Sequence, residues 1–211
     1  MSSLEPGAPV EGAAGAMIVI ISGPSGVGKD TIIAAMREGP DGGEYDYVVT
    51  CTTRDPRPGE IDGTSYHFLD RERFAALRDA GELLEWAEVH GNWYGTPRAG
   101  VRSALASGHH AILKIDVQGA QRVKEAIPDA LLVFVIPPTL ETLFARLRAR
   151  ATEAADELEL RQRNAAIELA RQDDYDHVVV NETGQVDATA RRIHDIIAAE
   201  AAAHPDRRIR V

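Results

Sequence analysis

Residues Met17–Thr31, MIVIISGPSGVGKDT, constrain the fold more than any other stretch of this chain. Met17–Ile21 is an unbroken apolar run, the pattern of a parallel strand buried on both faces. From Asp30 the sequence continues as a helix to about Glu38. Between them lie Gly23, Pro24, Ser25, Gly26, Val27, Gly28 and Lys29, and the three glycines can take backbone angles closed to other residues. Such a loop turns successive N–H groups inward as an anion nest, and the helix adds the positive end of its dipole. Lys29 then reaches the outer phosphates of a nucleoside triphosphate. The flanking strand and helix are the context that separates this motif from a chance glycine turn. One position departs from the pattern: Asp30 stands where a Ser or Thr hydroxyl usually touches Mg²⁺. A carboxylate can bind magnesium, but it also brings negative charge close to phosphate. Thr31 offers a hydroxyl about 100° further round the helix.

The remaining bounds come from length and charge. A chain of 211 residues fits one α/β domain with inserted lobes. A net charge of −10 argues against a general nucleic-acid binder, which needs a basic surplus. Cys51 is the only cysteine, so no internal disulfide forms and the chain suits a reducing compartment. No apolar run reaches membrane-spanning length, and the N-terminus lacks a signal-peptide pattern. The expectation is a cytoplasmic protein with neither nucleic acid nor membrane as partner. The histidines show no two-His helical metal spacing, which argues against a zinc site.

Residues 1–16, rich in Gly, Pro, Ser and Ala, read as a disordered extension. After the first helix, Tyr45–Thr50 reads as a strand leading into TTRDPRPGE. Arg54 and Arg57, three apart in a proline-stiffened segment, suit either phosphate capture by planar donor forks or a solvated basic turn. Asp62-Gly63 signals a hairpin. A capped helix starts at Asp70 and ends at Gly81, Glu82–Glu88 is a short strand, and Gly91–Pro97 reads as a loop. This Pro-, Gly- and aromatic-rich region looks like a small inserted lobe. Helix Arg98–Ser107 precedes strand Ala111–Asp116, whose terminal acid sits either near a nucleotide's metal or in a plain turn. Helix Gln118–Ala126, strand Ala130–Ile136, helix Leu140–Arg150, strand His177–Asn181 and helix Asp187–Ala202 complete the pattern, with a frayed tail from His204. The charged stretch Arg146–Arg171 is either a solvated helical surface or a mobile flap carrying cations.

Taken together, GPSGVGK, TTRDPRPGEIDG-x-x-Y-x-F, ELLEWAEVHGNWYGTP, IDVQG and RL-x-x-R with an Arg-containing helix after it resemble the guanylate kinase family. The likeness runs in unbroken order from about Met17 to Ala202. It implies an α/β fold: a three-layer parallel-sheet core around the phosphate loop, an inserted GMP-binding lobe and a helical lid. The domain would span 17–205, with core segments 17–49, 98–139 and 171–205, the GMP lobe at 50–97 and the lid at 140–170. The implied reaction is ATP + GMP ⇌ ADP + GDP with Mg²⁺, a step of purine nucleotide metabolism that supplies GTP.

On matching positions, the resemblance places Arg54, Arg57, Tyr66 and Tyr94 on the GMP phosphate. Glu85, Thr50 and Thr96 would read the guanine. Lys29, Arg146, Arg150 and Arg161 would supply cations to the migrating phosphoryl group, with Arg54 beside them. Asn181 would lie near adenine, and Asp30 and Asp116 are the candidate metal ligands. Glu85 offers two acceptors to the adjacent N1–H and 2-amine of guanine, an edge that adenine lacks, and such a mismatch discriminates by on the order of 10⁴. Three positions depart from the family: Asp30 where Ser or Gly is familiar, Lys114 where Asp or Glu often precedes Ile-Asp, and Ala151 where the lid commonly has Gly. Asp30 and Lys114 suggest a pair across the phosphate site. Two other readings share these motifs: a non-catalytic scaffold module that binds peptides, and a related kinase acting on a ribosyl phosphate.

Overall fold

The first strand, β1 (Ile18–Ser22), has all five residues buried and forms the middle of a parallel sheet. Its neighbours are β7 (His110–Lys114) and β8 (Leu131–Ile136), with β2 (Tyr45–Tyr47) and β9 (His177–Val180) at the edges, in the order β2-β7-β1-β8-β9. Every pairing in this sheet is parallel. That arrangement explains the uninterrupted apolar runs of β1 and β8, since a strand covered on both faces has no polar side to show. The computed structural model describes residues 10–40, 42–89, 91–150 and 155–211.

The connecting helices are α1 (Lys29–Glu38), α3 (Arg98–Ser107), α4 (Val117–Ala126), α5 (Leu140–Arg150), α6 (Ala155–Leu169) and α7 (Val186–Ala203). α1 packs on α7, α3 on β7, α4 on β1 and α5 on α6. Ile32, Ile33 and Met36 of α1 enter the same core as Ile193, Ile196 and Ile197 of α7. The expectation of a parallel-sheet α/β fold is met.

A second sheet, of order β4-β3-β6-β5, is built from β3 (Cys51–Thr52), β4 (His67–Phe68), β5 (Leu83–Val89) and β6 (Asn92–Pro97). Helix α2 (Arg71–Asp79) packs on it, with Asp70 as its N-cap accepting from the Arg73 N–H at 2.7 Å. Phe74, Cys51 and Leu83 form a small separate core here, with Trp86 and Trp93 packed against it.

Three sequence readings are corrected. Gly91–Pro97, expected as a loop, contains β6, which pairs antiparallel with both β5 and β3. The single strand expected at Tyr45–Thr50 is instead β2, which ends at Tyr47, followed by β3 in the other sheet. Asp62-Gly63 makes a turn closed by an isolated bridge from Asp62 to Tyr66, not a hairpin between strands.

The chain ends differ as well. Residues 1–9 of the expected extension lie outside the described residues, as does Ala151. From Val10 onward the extension is tied down: Val10 and Val211 exchange backbone hydrogen bonds at 3.0 and 3.1 Å, and Gly12 N–H donates to Ile209 C=O at 2.9 Å. Ile209 and Val211, in the tail expected to fray, are buried in the main core. The physical reason is backbone pairing, which composition does not reveal.

Candidate active site

The phosphate loop leaves β1 at Ser22 and enters α1 at Lys29. Its glycines are required: Gly23 has φ +141°, and a Cβ there would stand 2.2 Å from the Val135 carbonyl oxygen of β8. The Lys29 ammonium donates to the carbonyls of Gly23 and Pro24 at 2.5 and 3.2 Å. Burial pushes its pKa down, against the pull of Glu168, Asp30 and Asp116. The Ser25 N–H donates to Glu168 Oε2 at 3.1 Å, so a carboxylate of α6 touches the loop.

Two further residues brace the loop from the other side. Asn181 Nδ2 and Arg146 Nη1 both donate to the Val27 carbonyl, at 2.8 and 3.1 Å. Arg146 Nη2 also donates to Asn181 O at 3.2 Å and Thr183 Oγ1 at 3.1 Å. The Thr189 hydroxyl lies 3.2 Å from Asn181 Oδ1 and fixes the amide. Here a cavity of about 410 Å³ is lined by Gly26, Gly28, Thr31, Arg146, Asn181 and Val186, among others.

The second sheet presents a different chemistry. Glu85 of β5 is buried, and Thr96 Oγ1 of β6 donates to its Oε1 at 2.7 Å. These residues are register partners across the antiparallel pair. Burial raises the Glu85 carboxyl to about 7, with Thr96 pulling against it. Gly119 of α4 makes room for this carboxylate, since a Cβ there would stand 2.7 Å from Oε2. Thr50 is buried too, just before β3.

Alongside, Arg54 Nε donates to the Tyr94 hydroxyl at 3.3 Å and Nη2 to Glu60 Oε1 at 2.9 Å. The guanidinium stands 5.5 Å from the Tyr66 ring centroid, and the Tyr66 and Tyr94 rings meet edge-on at 6.1 Å. Glu60 also accepts from the Arg57 backbone N–H at 2.7 Å, while the Arg57 side chain is exposed. An arginine held by two tyrosines and one carboxylate is a pre-oriented fork for an anion.

Lys114, at the end of β7, lies between these regions. Its ammonium bonds Asp30 Oδ1 at 2.5 Å, so the pair suggested by two sequence departures is formed. It also stands 4.7 Å from the Tyr66 ring centroid. A cavity of about 570 Å³ opens here, lined by Asp30, Thr50, Glu60, Tyr66 and Lys114 among others. Asp116 caps α4, its Oδ1 accepting from the Gln118 and Gly119 N–H groups at 2.7 and 3.0 Å.

The structure thus gathers Gly26, Gly28, Thr31, Arg146 and Asn181 around one cavity, sets Asp30, Thr50 and Tyr66 on the other, and places Arg54, Tyr94, Glu85 and Thr96 at the second sheet. Arg161 is partly buried on α6, and Arg150 ends α5 with its side chain outside what is described. Sequence reasoning missed Glu60 as the residue that orients Arg54, although it stood within the PGE motif. It also missed Glu168, one acid among many in a charged helix, for which no sequence signal existed.

The family model described as guanylate kinase matches residues 15–200. A guanylate kinase of Nocardia farcinica is 47% identical over 167 residues, covering 78% of this chain and 86% of that protein. One from Chelativorans sp. is 43% identical over 192 residues, covering 90% of this chain and 86% of the relative. Among solved structures, guanylate kinase from Anaplasma phagocytophilum superposes with a TM-score of 0.73 at 33% identity, over 92% of this chain and 89% of that one. The chain belongs to the guanylate kinase family.

Proposed function

We propose that this chain transfers the γ-phosphoryl group of ATP to the phosphate of GMP, giving ADP and GDP. The observation that carries the reading is the buried Glu85–Thr96 pair beside the Arg54–Tyr66–Tyr94 cluster. One supplies acceptors suited to guanine's N1–H and 2-amine, the other an anion site for the phosphate. In its ionised form, Glu85 rejects adenine, which would leave a buried carboxylate unpaired. Thr50, which directly precedes β3, would add a second hydroxyl, and Arg57 would join the phosphate from the surface.

ATP would seat its phosphates in the Gly23–Lys29 loop and its adenine in the cavity edged by Asn181. Chemistry of this kind asks for alignment and cations more than for a general base. The bond from the γ-phosphorus to the β–γ bridging oxygen breaks, its electron pair leaving with ADP, and a GMP phosphate oxygen bonds the phosphorus. Lys29, with Arg146, Arg150 and Arg161 brought in from α5 and α6, would offset the charge that moves. The region 140–170 would act as the lid and 50–97 as the GMP lobe.

Magnesium fits as an ion carried by the nucleotide. Among the described residues no group of three or more His, Cys, Asp or Glu side chains could hold a metal. Mg²⁺ commonly takes one or two carboxylates and completes its shell with substrate phosphates and water. Asp30, at the loop–helix junction, is the residue that would hold it, while Asp116 already caps α4. When bound, the ion neutralises charge on the phosphate oxygens.

The test is to follow label from γ-labelled ATP into GDP in wild type and Lys29→Ala. Lys29→Ala should lose label transfer by at least about 10³-fold while GMP binding by calorimetry survives, because phosphoryl stabilisation is lost and the acceptor site is separate. Loss of GMP binding in a folded Lys29→Ala protein would contradict the division into two sites.

A further inference from the structure

Lys114 touches both the start of α1 and the aromatic cluster beside the second sheet. β7 places it beside the phosphate loop, since Lys114 is the register partner of Ile21 in β1. Its ammonium bonds Asp30, the residue after Lys29, and faces Tyr66, whose ring meets Tyr94 and lies against Arg54. Lys114, Asp30 and Tyr66 line the 570 Å³ cavity together with Thr50 and with Glu60, the partner of Arg54.

A purely neutralising role accounts poorly for this placement. Asp30 is 70% exposed, and a carboxylate so wet gains little from a partner. Lys114 is only 20% exposed, its ammonium drawn into the cavity against the Tyr66 face and not left in water. An ammonium carries three donors, of which Asp30 Oδ1 takes one and the Tyr66 hydroxyl another. The transfer also brings two highly charged phosphate groups together at this point, where Asp30 alone would add repulsion.

We propose that Lys114 is a substrate-contacting cation that binds the phosphate of the acceptor nucleotide, with Asp30 and Tyr66 holding it in place. The proposal rests on the reading of the second sheet as the GMP site. Lys114 keeps its proton throughout. The bond broken and the bond formed are those of the transfer itself, and the ammonium only binds the oxygens.

The experiment measures GMP and MgATP affinity separately by calorimetry in Lys114→Met, Lys114→Arg, Asp30→Asn and the Lys114→Met/Asp30→Asn double variant, with melting curves to verify folding. Lys114→Met should weaken GMP on the order of tenfold to a hundredfold, the loss of one charge-assisted hydrogen bond, and Lys114→Arg should recover most of it. In the double variant GMP affinity should stay low, because removing Asp30 does not replace the lost ammonium. A double variant that regains GMP affinity would reduce Lys114 to a neutraliser of Asp30 and overturn the proposal. Unchanged GMP affinity in Lys114→Met would overturn it too. Glu85→Gln, run in parallel, separates the two levels: if it leaves GMP affinity intact, the reading of the acceptor site itself has failed.

Discussion

At the scale of single residues, the role proposed for Glu85 in reading guanine sets a protonation problem. Burial lifts its carboxyl from the ordinary 4.5 to about 7. Guanine needs the ionised form, so GMP binding must expel a proton wherever the carboxyl is protonated. GMP affinity should therefore fall about tenfold between pH 8 and pH 6, measurable by calorimetry, with MgATP affinity changing far less. The same shift acts on stability with a definite sign. The folded state holds a proton that the unfolded chain has released between about pH 4.5 and 7, so stability is fully present below this window and declines as pH rises through it. Glu85→Gln should remove that decline, worth on the order of 3 kcal/mol at pH 8, while its amide turns donors toward guanine's own donors and weakens GMP. A denaturant titration at two pH values reads the first effect. A Glu85→Gln protein with the wild-type pH profile would contradict it. Glu85 was legible in the sequence only through its neighbours in the ELLEWAEVHGNWYGTP segment. Alone it is an acid in a strand, and nothing in its residue type announces burial.

At the scale of elements, the proposed acceptor pocket depends on how closely α4 approaches β5. Gly119 permits that approach, because a Cβ would meet Glu85 Oε2 at 2.7 Å and Glu85 Cδ at 3.1 Å. Gly119→Ala should push the carboxylate off Thr96, costing about 1–3 kcal/mol of stability as an overpacked site does. The kinetic signature is a raised KM for GMP with the KM for ATP little changed, and an equal rise in both would place the damage elsewhere. Elements were legible where the periodicity was strong. β1 and β8 announced themselves by uninterrupted apolar runs, and α2 by its Asp70 cap. β6 did not, because Gly91-Asn92-Trp93-Tyr94-Gly95 has loop composition and becomes a strand only through pairing with β5 and β3. The break between β2 and β3 was hidden for a similar reason: one apolar stretch serves two sheets.

At the scale of the whole molecule, the two sheets meet where α4 packs on β5 and where Lys114 faces Tyr66, and the chain ends stabilise the core away from both. The pairing of Val10–Gly15 with Arg207–Val211 buries Ile209 beside α3. Ile209→Ala should cost about 2–5 kcal/mol in thermal or denaturant unfolding with kcat unchanged, the expected signature of a cavity remote from the site. A change in kcat without a change in Tm would contradict it. These ends were read from composition as disordered, since Gly, Pro and Ala give no packing signal and backbone hydrogen bonds leave none in the sequence.

The central claim, that the buried Glu85–Thr96 pair and the Arg54 cluster select GMP as acceptor, is tested most directly by ADP formation from MgATP with GMP, AMP, CMP and UMP supplied one at a time. ADP should form with GMP and fall with the other three by on the order of 10⁴ in kcat/KM. Comparable turnover of AMP would contradict the account of the guanine pocket. No turnover with any acceptor, in a folded protein that still binds GMP, would contradict the assignment of catalysis to the phosphate loop.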